Sequence, residues 1–271
     1  MKARKLSMDG FSIKVLGILL MVLDHIHEEL LPLGIPTWFN MLGRIVAPLF
    51  LFLSVEGFVH THDRKRYLWR LLIGFWIMSL GSFVLQMWLP VDGGRLGLLN
   101  NIFGTLFLGV FAMLGISKIT DGRRDHNRHL IWQGIGILSL EVLLSVIGTA
   151  ILFVPESMRV AAARVSQFIP NLFTTEGGPL FVLLAIFFYL FRNNRMGQIL
   201  SLVVIAIIFT GFNFQGLFST NYSWMMVGAI IPIALYNGQR GRSDKWFFYI
   251  FYPTHIWALY LIAYGLHLTG Y

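Results

Sequence analysis

Long apolar runs, separated by short polar clusters, recur along the whole chain, and most are close to the length that crosses a hydrocarbon core about 30 Å thick. No water is available there, so backbone N–H and C=O groups must bond to one another and each run predicts a helix. Run length places these helices at about 11 to 31, 40 to 60, 68 to 89, 99 to 117, 129 to 154, 177 to 191, 197 to 215, 222 to 236 and 246 to 268. The expected fold is all-α, a polytopic transmembrane helical bundle of about nine helices (eight to ten), in a single domain over residues 1 to 271. The sixth and eighth runs are short for full crossings, which marks them as tilted, re-entrant or broken. Residues 155 to 176 form a long connection in which "SMRVAAARVSQFI" sets Met158, Ala162, Val165 and Ile169 on one face. That spacing predicts an amphipathic helix lying in the membrane interface.

Composition agrees with the pattern. The chain is 56% hydrophobic and 13% charged with a mean hydropathy of +0.69, whereas soluble domains are about a quarter charged. The net charge of +8 raises nucleic acid as a partner, but the positive residues fall in the short connections. Lys2, Arg4, Lys5, Arg64, Lys65, Arg66, Arg70, Lys118, Arg123, Arg124, Arg128, Arg192, Arg195, Arg240, Arg242 and Lys245 share one side, against Arg95, Arg159 and Arg164 on the other. This is the positive-inside bias, so the N-terminus is expected in the cytoplasm and no nucleic-acid partner is expected. The first run has a basic leader like a signal peptide, but Lys14, Asp24 and His25 interrupt it and no small-residue cleavage site follows. It is expected to be retained. The absence of cysteine removes disulfides, thiolate nucleophiles and thiolate metal sites.

Charged side chains in lipid cost on the order of 3 kcal/mol each, so those within the runs need a partner or a task. They are Lys14, Asp24, His25, Arg44, Glu56, Glu141 and His255. Eleven residues separate Lys14 from His25, which puts both on one stripe about 16 Å apart along a helix. A cation near the cytoplasmic mouth and an imidazole deeper in suit a long anionic substrate reacting at its far tip, the shape of a coenzyme A thioester. The alternative is that Lys14 snorkels to headgroups and His25 makes a core hydrogen bond. Arg44 starts the returning helix at a depth similar to His25, where it can polarise a carbonyl or hold Asp24; equally, an Arg44–Asp24 pair can simply lock two helices.

Glu56 falls about 18 Å further along, near the cytoplasmic mouth beside Lys14 and the loop "HTHDRKRYLWR". Arg64, Lys65, Arg66 and Arg70 there can grip nucleotide phosphates or act as ordinary positive-inside charge against anionic lipid. Asp24, His27 and Glu28 share a face, a spacing open to metal, but no second imidazole or carboxylate cluster accompanies them, and no metal is expected. In "FFYIFYPTHIWALYLI", Pro253 frees the Tyr249 carbonyl and predicts a kink, with His255 beside it lining a cavity. For Glu141 a buried pairing is expected.

Several stretches together resemble the TraX family, membrane proteins named for the acetylase of conjugative pilin and similar to the larger acyltransferase family three. They are "MDGFSIKVLGILLMVLDHI" (8 to 26), "GRIVAPLFLFLSVEGFVHT" (43 to 61) with "YLWRL" (67 to 71), "NNIFGTLFLGV" (100 to 110) and "FFYIFYPTHIWALYLI" (247 to 262). In family three a basic residue, ten others and a histidine mark the first helix, and Lys14 and His25 match that spacing. The resemblance implies a bacterial cytoplasmic-membrane enzyme that takes acetyl-CoA from the cytoplasm. The implied acceptor, at or across the membrane, is the amine of a pilin-like peptide or a cell-surface glycan. It further implies His25 as catalytic base with Asp24 and Arg44 supporting it, and Lys14, Arg64, Arg66 and Arg70 serving the cofactor. Glu56 and His255 are placed with the cofactor set as lining groups. Residues 118 to 236 carry little of the likeness, so the acceptor stays open.

The chemistry needs a base near neutral pKa, which histidine supplies, and donors for a developing oxyanion, for which Arg44 is the candidate with Asn100 or Asn101. No G-x-S-x-G elbow is present. Two rival functions are a proton-coupled transporter, using Asp24, His25, Glu56 and Glu141 as a relay, and a non-enzymatic assembly factor whose charges only pair helices.

Overall fold

A computed structural model describes residues 6–90, 98, 101–150 and 153–268, apart from the side chain of Lys245. Lys2, Arg4, Lys5, Arg95 and Asn100 lie outside the described residues. The helices are α1 (Gly10–Leu30), α2 (Trp38–Gly43), α3 (Val46–His60), α4 (Arg64–Trp88), α5 (Ile102–Arg124), α6 (Arg128–Ala150), α7 (Glu156–Ser166), α8 (Gly178–Leu190), α9 (Arg195–Phe209), α10 (Ile230–Leu235) and α11 (Lys245–Gly265). A 3-10 segment, Ser223–Ala229, leads into α10. Among the described residues six helical stretches are long and apolar enough to cross a membrane, with three shorter apolar ones at Gly178–Leu190, Arg195–Phe209 and Ser223–Leu235. The protein is therefore an all-helical, multi-pass membrane protein. The expected amphipathic helix is α7, which buries Ala162 while Met158 and Val165 stay exposed, an apolar strip without cover among the described residues; Ile169 falls beyond its end.

The run at 40 to 60, expected as one helix, is broken, and the run at 222 to 236, marked as tilted, re-entrant or broken, is divided; a proline explains each. Pro48 has no N–H for the carbonyl of Arg44, so α2 stops and the chain restarts as α3 with Pro48 in its first turn. At the break Arg44 N and Ile45 N donate to Met41 O and Leu42 O at 3.3 and 3.2 Å, the tighter i to i+3 pattern. Pro232 likewise cannot donate to Gly228 O, and Ser223–Ala229 stays 3-10. By contrast α11 runs unbroken through Pro253. There Thr254 Oγ donates to Ile250 O at 2.7 Å and the His255 ring to Phe251 O at 2.8 Å.

The chain clusters into two compact units. The first draws on described residues within Met1–Leu53, Leu89–Arg95 and Phe191–Tyr271, the second on Ser54–Trp88 and Leu96–Leu190. In the second, α5 is the central helix, packed on α4, α6 and α8. Its partner α6 exposes most of its surface and turns Gly134, Glu141, Ser145 and Gly148 inward at helical spacing. Glu141 is only 4% exposed, and its Oε1 has no hydrogen-bond partner among the described residues, so the expected buried pairing is not found there.

In the first unit the segment before α1 pairs with the segment before α11. Met8 N donates to Leu235 O at 2.9 Å, Asn237 N to Met8 O at 2.9 Å and Gly10 N to Gln239 O at 2.8 Å. Both helices thus begin together and run side by side in the same direction, with Phe11 edge-on to Phe248 at 6.1 Å between ring centroids. Asp9 caps α1, its Oδ1 accepting from Ser12 N at 2.8 Å.

The Ser12 backbone amide, and then its hydroxyl, hold the Asp9 carboxyl below the usual carboxylate range. A lowered folded-state pKa means stability that is present above the ordinary value of about 3.9 and lost as pH falls through the depressed one. Asp9→Ala is expected to cost about 1 kcal/mol near neutral pH. Thermal unfolding in nanodiscs at stepped pH should show the gap between variant and parent closing in acid.

Candidate functional site

The buried stripe of α1 comprises Gly10, Ile13, Gly17, Ile18, Met21 and His25, with half-buried Lys14 on the same side. Lys14 and His25 on this side meet α11, while Gly17 between them backs onto the Phe50 ring of α3. Lys14 Nζ stands 5.3 Å from the centroid of the Phe248 ring, a cation–π contact at the start of the shared face. One α-helical span further, His25 is 7% exposed and meets His255, from a position 230 residues later. Their ring nitrogens, His25 Nδ1 and His255 Nε2, are 2.8 Å apart. Tyr252 lies edge-on to both rings, and Phe251 stacks on His255 at 4.9 Å.

The hydrogen bonds fix the tautomers of the neutral pair. His255 Nδ1 is 2.8 Å from the Phe251 carbonyl, which can only accept, so the proton is on Nδ1. His255 Nε2 is then bare and accepts from His25 Nδ1–H. That leaves His25 Nε2 without a proton and with its lone pair outward, the form a general base needs. Glu28 Oε2 lies 3.9 Å from it, beyond hydrogen-bond length but close enough to stabilise an imidazolium.

A second polar set adjoins it. Asp24 Oδ1 accepts from Asn40 Nδ2 at 2.7 Å and from Arg44 Nη2 at 3.3 Å, and Tyr222 Oη donates to Asn40 Oδ1 at 2.6 Å. Arg44 Nη2 also lies 3.9 Å from Glu28 Oε1, so Glu28 sits between the guanidinium and the imidazole. The approach of α2 to α1 depends on Gly43, because a Cβ there would run into the Asp24 carboxylate. The 3-10 break at Arg44 is thus the local geometry that aims the guanidinium at Asp24. Asp24, His27 and Glu28, weighed together from their spacing, diverge: His27 Nδ1 goes to the Ile35 carbonyl at 3.1 Å.

The structure brings together Asp24, His25, Arg44 and His255, with Lys14 further along the same helix face. The remaining candidates belong to the second unit. Glu56 faces His60 at 3.8 Å. Arg64 sits 4.6 Å over the Phe58 ring and donates to Ser117 Oγ at 3.3 Å. Arg70 lies 5.6 Å over Tyr67, while Arg66 is exposed and pairs with Asp63 at 3.7 Å. The basic loop therefore does not converge on one point: Arg64 and Arg70 turn onto aromatic rings and Arg66 outward. Asn101 is corrected as an oxyanion donor, since its amide hydrogens go to Phe75 O at 3.0 Å and Ser79 Oγ at 3.2 Å. Sequence reasoning missed Asn40 and Tyr222. Asn40 was detectable, being one helical turn before Arg44, whereas nothing local marks Tyr222, which lies 182 residues away.

A probable fimbrial assembly protein FimC of serogroup H1 from Dichelobacter nodosus is 38% identical to this chain over 74 residues. The match takes in 26% of this chain and 30% of that relative's length. No solved structure matches. The family described as TraX protein matches residues 10–263, which spans α1 through most of α11 and contains every residue of the imidazole pair and its polar neighbours. The chain belongs to the TraX family.

Proposed function

We propose that this protein is an acetyltransferase of a bacterial cytoplasmic membrane, moving acetyl from cytoplasmic acetyl-CoA to an acceptor at or across the membrane. The acceptor is the amine of a pilin-like peptide or a hydroxyl or amine of a surface glycan. Of the two, the peptide is favoured by the fimbrial-assembly name of the relative. The observation that carries the reading is the His25–His255 hydrogen bond, which leaves a buried, unprotonated Nε2 inside a membrane protein without cysteine.

The chemistry follows from that atom. As the acceptor nitrogen or oxygen attacks the thioester carbonyl carbon, His25 Nε2 takes the proton from the attacking group, and Glu28 stabilises the imidazolium. The tetrahedral oxyanion needs a donor, and the Arg44 guanidinium, oriented by Asp24, supplies one. The carbon–sulfur bond then breaks and the proton on Nε2 passes to the departing thiolate. Lys14, with the N-terminus in the cytoplasm, attracts the anionic end of the donor. A non-enzymatic assembly role is the second reading, favoured by the same relative and by the closed Tyr222–Asn40–Asp24–Arg44 set, which locks helices whether or not chemistry occurs.

Purified protein in nanodiscs, given labelled acetyl-CoA and an acceptor peptide, separates the two. His25→Ala is expected to lower turnover by at least about 100-fold, with the fold and donor binding retained; unchanged turnover would return the histidine to a packing role. His255→Phe keeps an aromatic ring but removes the acceptor that sets the tautomer. Histidine ¹⁵N spectra should then show the proton of His25 no longer confined to Nδ1, with turnover reduced about 10- to 100-fold. Gly43→Ala, placed against the Asp24 carboxylate, should weaken the Asp24–Arg44 pair and lower both thermal stability and turnover. A variant that folds and works like the parent would refute that reading of the α1–α2 approach.

A further inference from the structure

Three lengths in the first unit agree with one another and fall short of a hydrocarbon core about 30 Å thick. Met8 bonds to the residues on either side of Tyr236, and the Arg195 guanidinium lies 5.4 Å over the Tyr236 ring, so α1, α9 and the end of α10 meet at one end of the unit. From that end α9 runs 15 residues, about 22 Å, and Ser223–Ala229 with α10 returns over about 23 Å. Residues 11 to 23 of α1, apolar but for Ser12 and Lys14, cover about 20 Å before Asp24, and His27, Glu28 and Glu29 occupy the last turns. The connection between α9 and the 3-10 segment, residues 210 to 222, stands at that same depth. Tyr222 at its end bonds to Asn40, and Asn40 to Asp24, six residues or about 9 Å short of the end of α1 at Leu30.

This connection is a built loop. Gly211 and Phe212, at φ of 61° and 57°, end α9 although the chain remains apolar there. Asn221 Nδ2 then donates to Thr210 O at 3.0 Å and Asn213 O at 2.6 Å, closing the loop across its neck. Trp224 Nε1 donates to Leu217 O at 2.8 Å, and Phe218 lies edge-on to the Trp224 ring at 5.5 Å. So held, Phe212, Phe214 and Phe218 are 69%, 63% and 71% exposed, interleaved with exposed Asn213, Gln215 and Thr220.

Irregular backbone and amide side chains are not tolerated against lipid tails, and three uncovered phenyl rings are unfavourable in bulk water. The zone where tails meet headgroups accepts both. On the α11 side that zone lies farther out. His255 is level with His25, and α11 continues apolar to Gly265, about 15 Å beyond it, with Leu261 and Ile262 exposed. A bilayer meets an apolar belt shorter than its core by thinning beside it. We propose that loop 210 to 222 is an interfacial anchor around which one leaflet is thinned, bringing lipid headgroups to the level of Tyr222 on this side of the first unit. The partner is the lipid bilayer itself, and the inference does not depend on the acetyltransferase reading.

Because the chain has no cysteine, a single introduced one takes a spin label at a unique position. Phe214→Cys reports on the loop, and Ala258→Cys, exposed on α11 one turn beyond His255, reports on a position of similar height. The full chain in phosphatidylcholine liposomes is measured by electron paramagnetic resonance, comparing collisions with oxygen, which concentrates among tails, and with a water-soluble nickel chelate. The label at 214 is expected at the headgroup boundary, about 10 Å shallower than the label at 258. A label at 214 as deep as that at 258 would place the loop among the tails and overturn the proposal. Bulk-water behaviour at 214, or both labels at the boundary, would overturn it equally, the first by removing the anchor and the second by removing the one-sided thinning.

Discussion

Without water, a polar group inside a membrane protein can be satisfied only by another polar group, and the arrangement of the first unit follows from that constraint. His25 cannot face lipid, so it turns to the helix that offers an acceptor, and His255 can be an acceptor only because the Phe251 carbonyl already holds its proton. The three atoms act in sequence: a backbone carbonyl sets one ring, and that ring sets the next. Asp24 answers the same demand differently, collecting Asn40 and Arg44, with Tyr222 closing the set behind Asn40. Two adjacent residues of α1 therefore belong to two hydrogen-bonded groups, one directed toward α11 and one toward α2, and Glu28 stands between them.

Proline shapes the unit where helices alone would be too straight. At Pro48 the missing N–H shortens α2 and tightens the turn at Arg44, while Gly43 removes the side chain that would obstruct Asp24. At Pro232 the same loss keeps Ser223–Ala229 in a 3-10 path, the segment that begins just after Tyr222. In α11 the helix instead continues across Pro253, and Thr254 and His255 both bond back to carbonyls of the preceding turn. The positions that interrupt a regular pattern are the ones that carry polar function.

Most of the helical layout was legible because length and apolarity are local properties. The run at 222 to 236 is short or broken by its length, and it divides between Ala229 and Ile230, just ahead of Pro232; the run at 40 to 60 reads as one helix, because a first-turn proline looks the same whether it starts a helix or bends one. Lys14 and His25 on a common face followed from helical periodicity, and both lie on the side of α1 that meets α11. The partner of His25 did not follow, since a hydrogen bond across 230 positions has no local signature. The basic loop misled for a related reason: consecutive cations read as a cluster in one dimension, but helical rotation sends Arg64 and Arg66 to different surroundings.

The imidazole pair joins α1 to α11, two helices whose histidines stand 230 positions apart in the chain. During synthesis at about 5–20 residues per second, a nascent chain holds His25 in the bilayer for tens of seconds or less before His255 is even polymerised. Until then the first helix has no means of setting which nitrogen bears the proton. Chains released before α11 is made would lack that acceptor, whatever else of the first unit they fold.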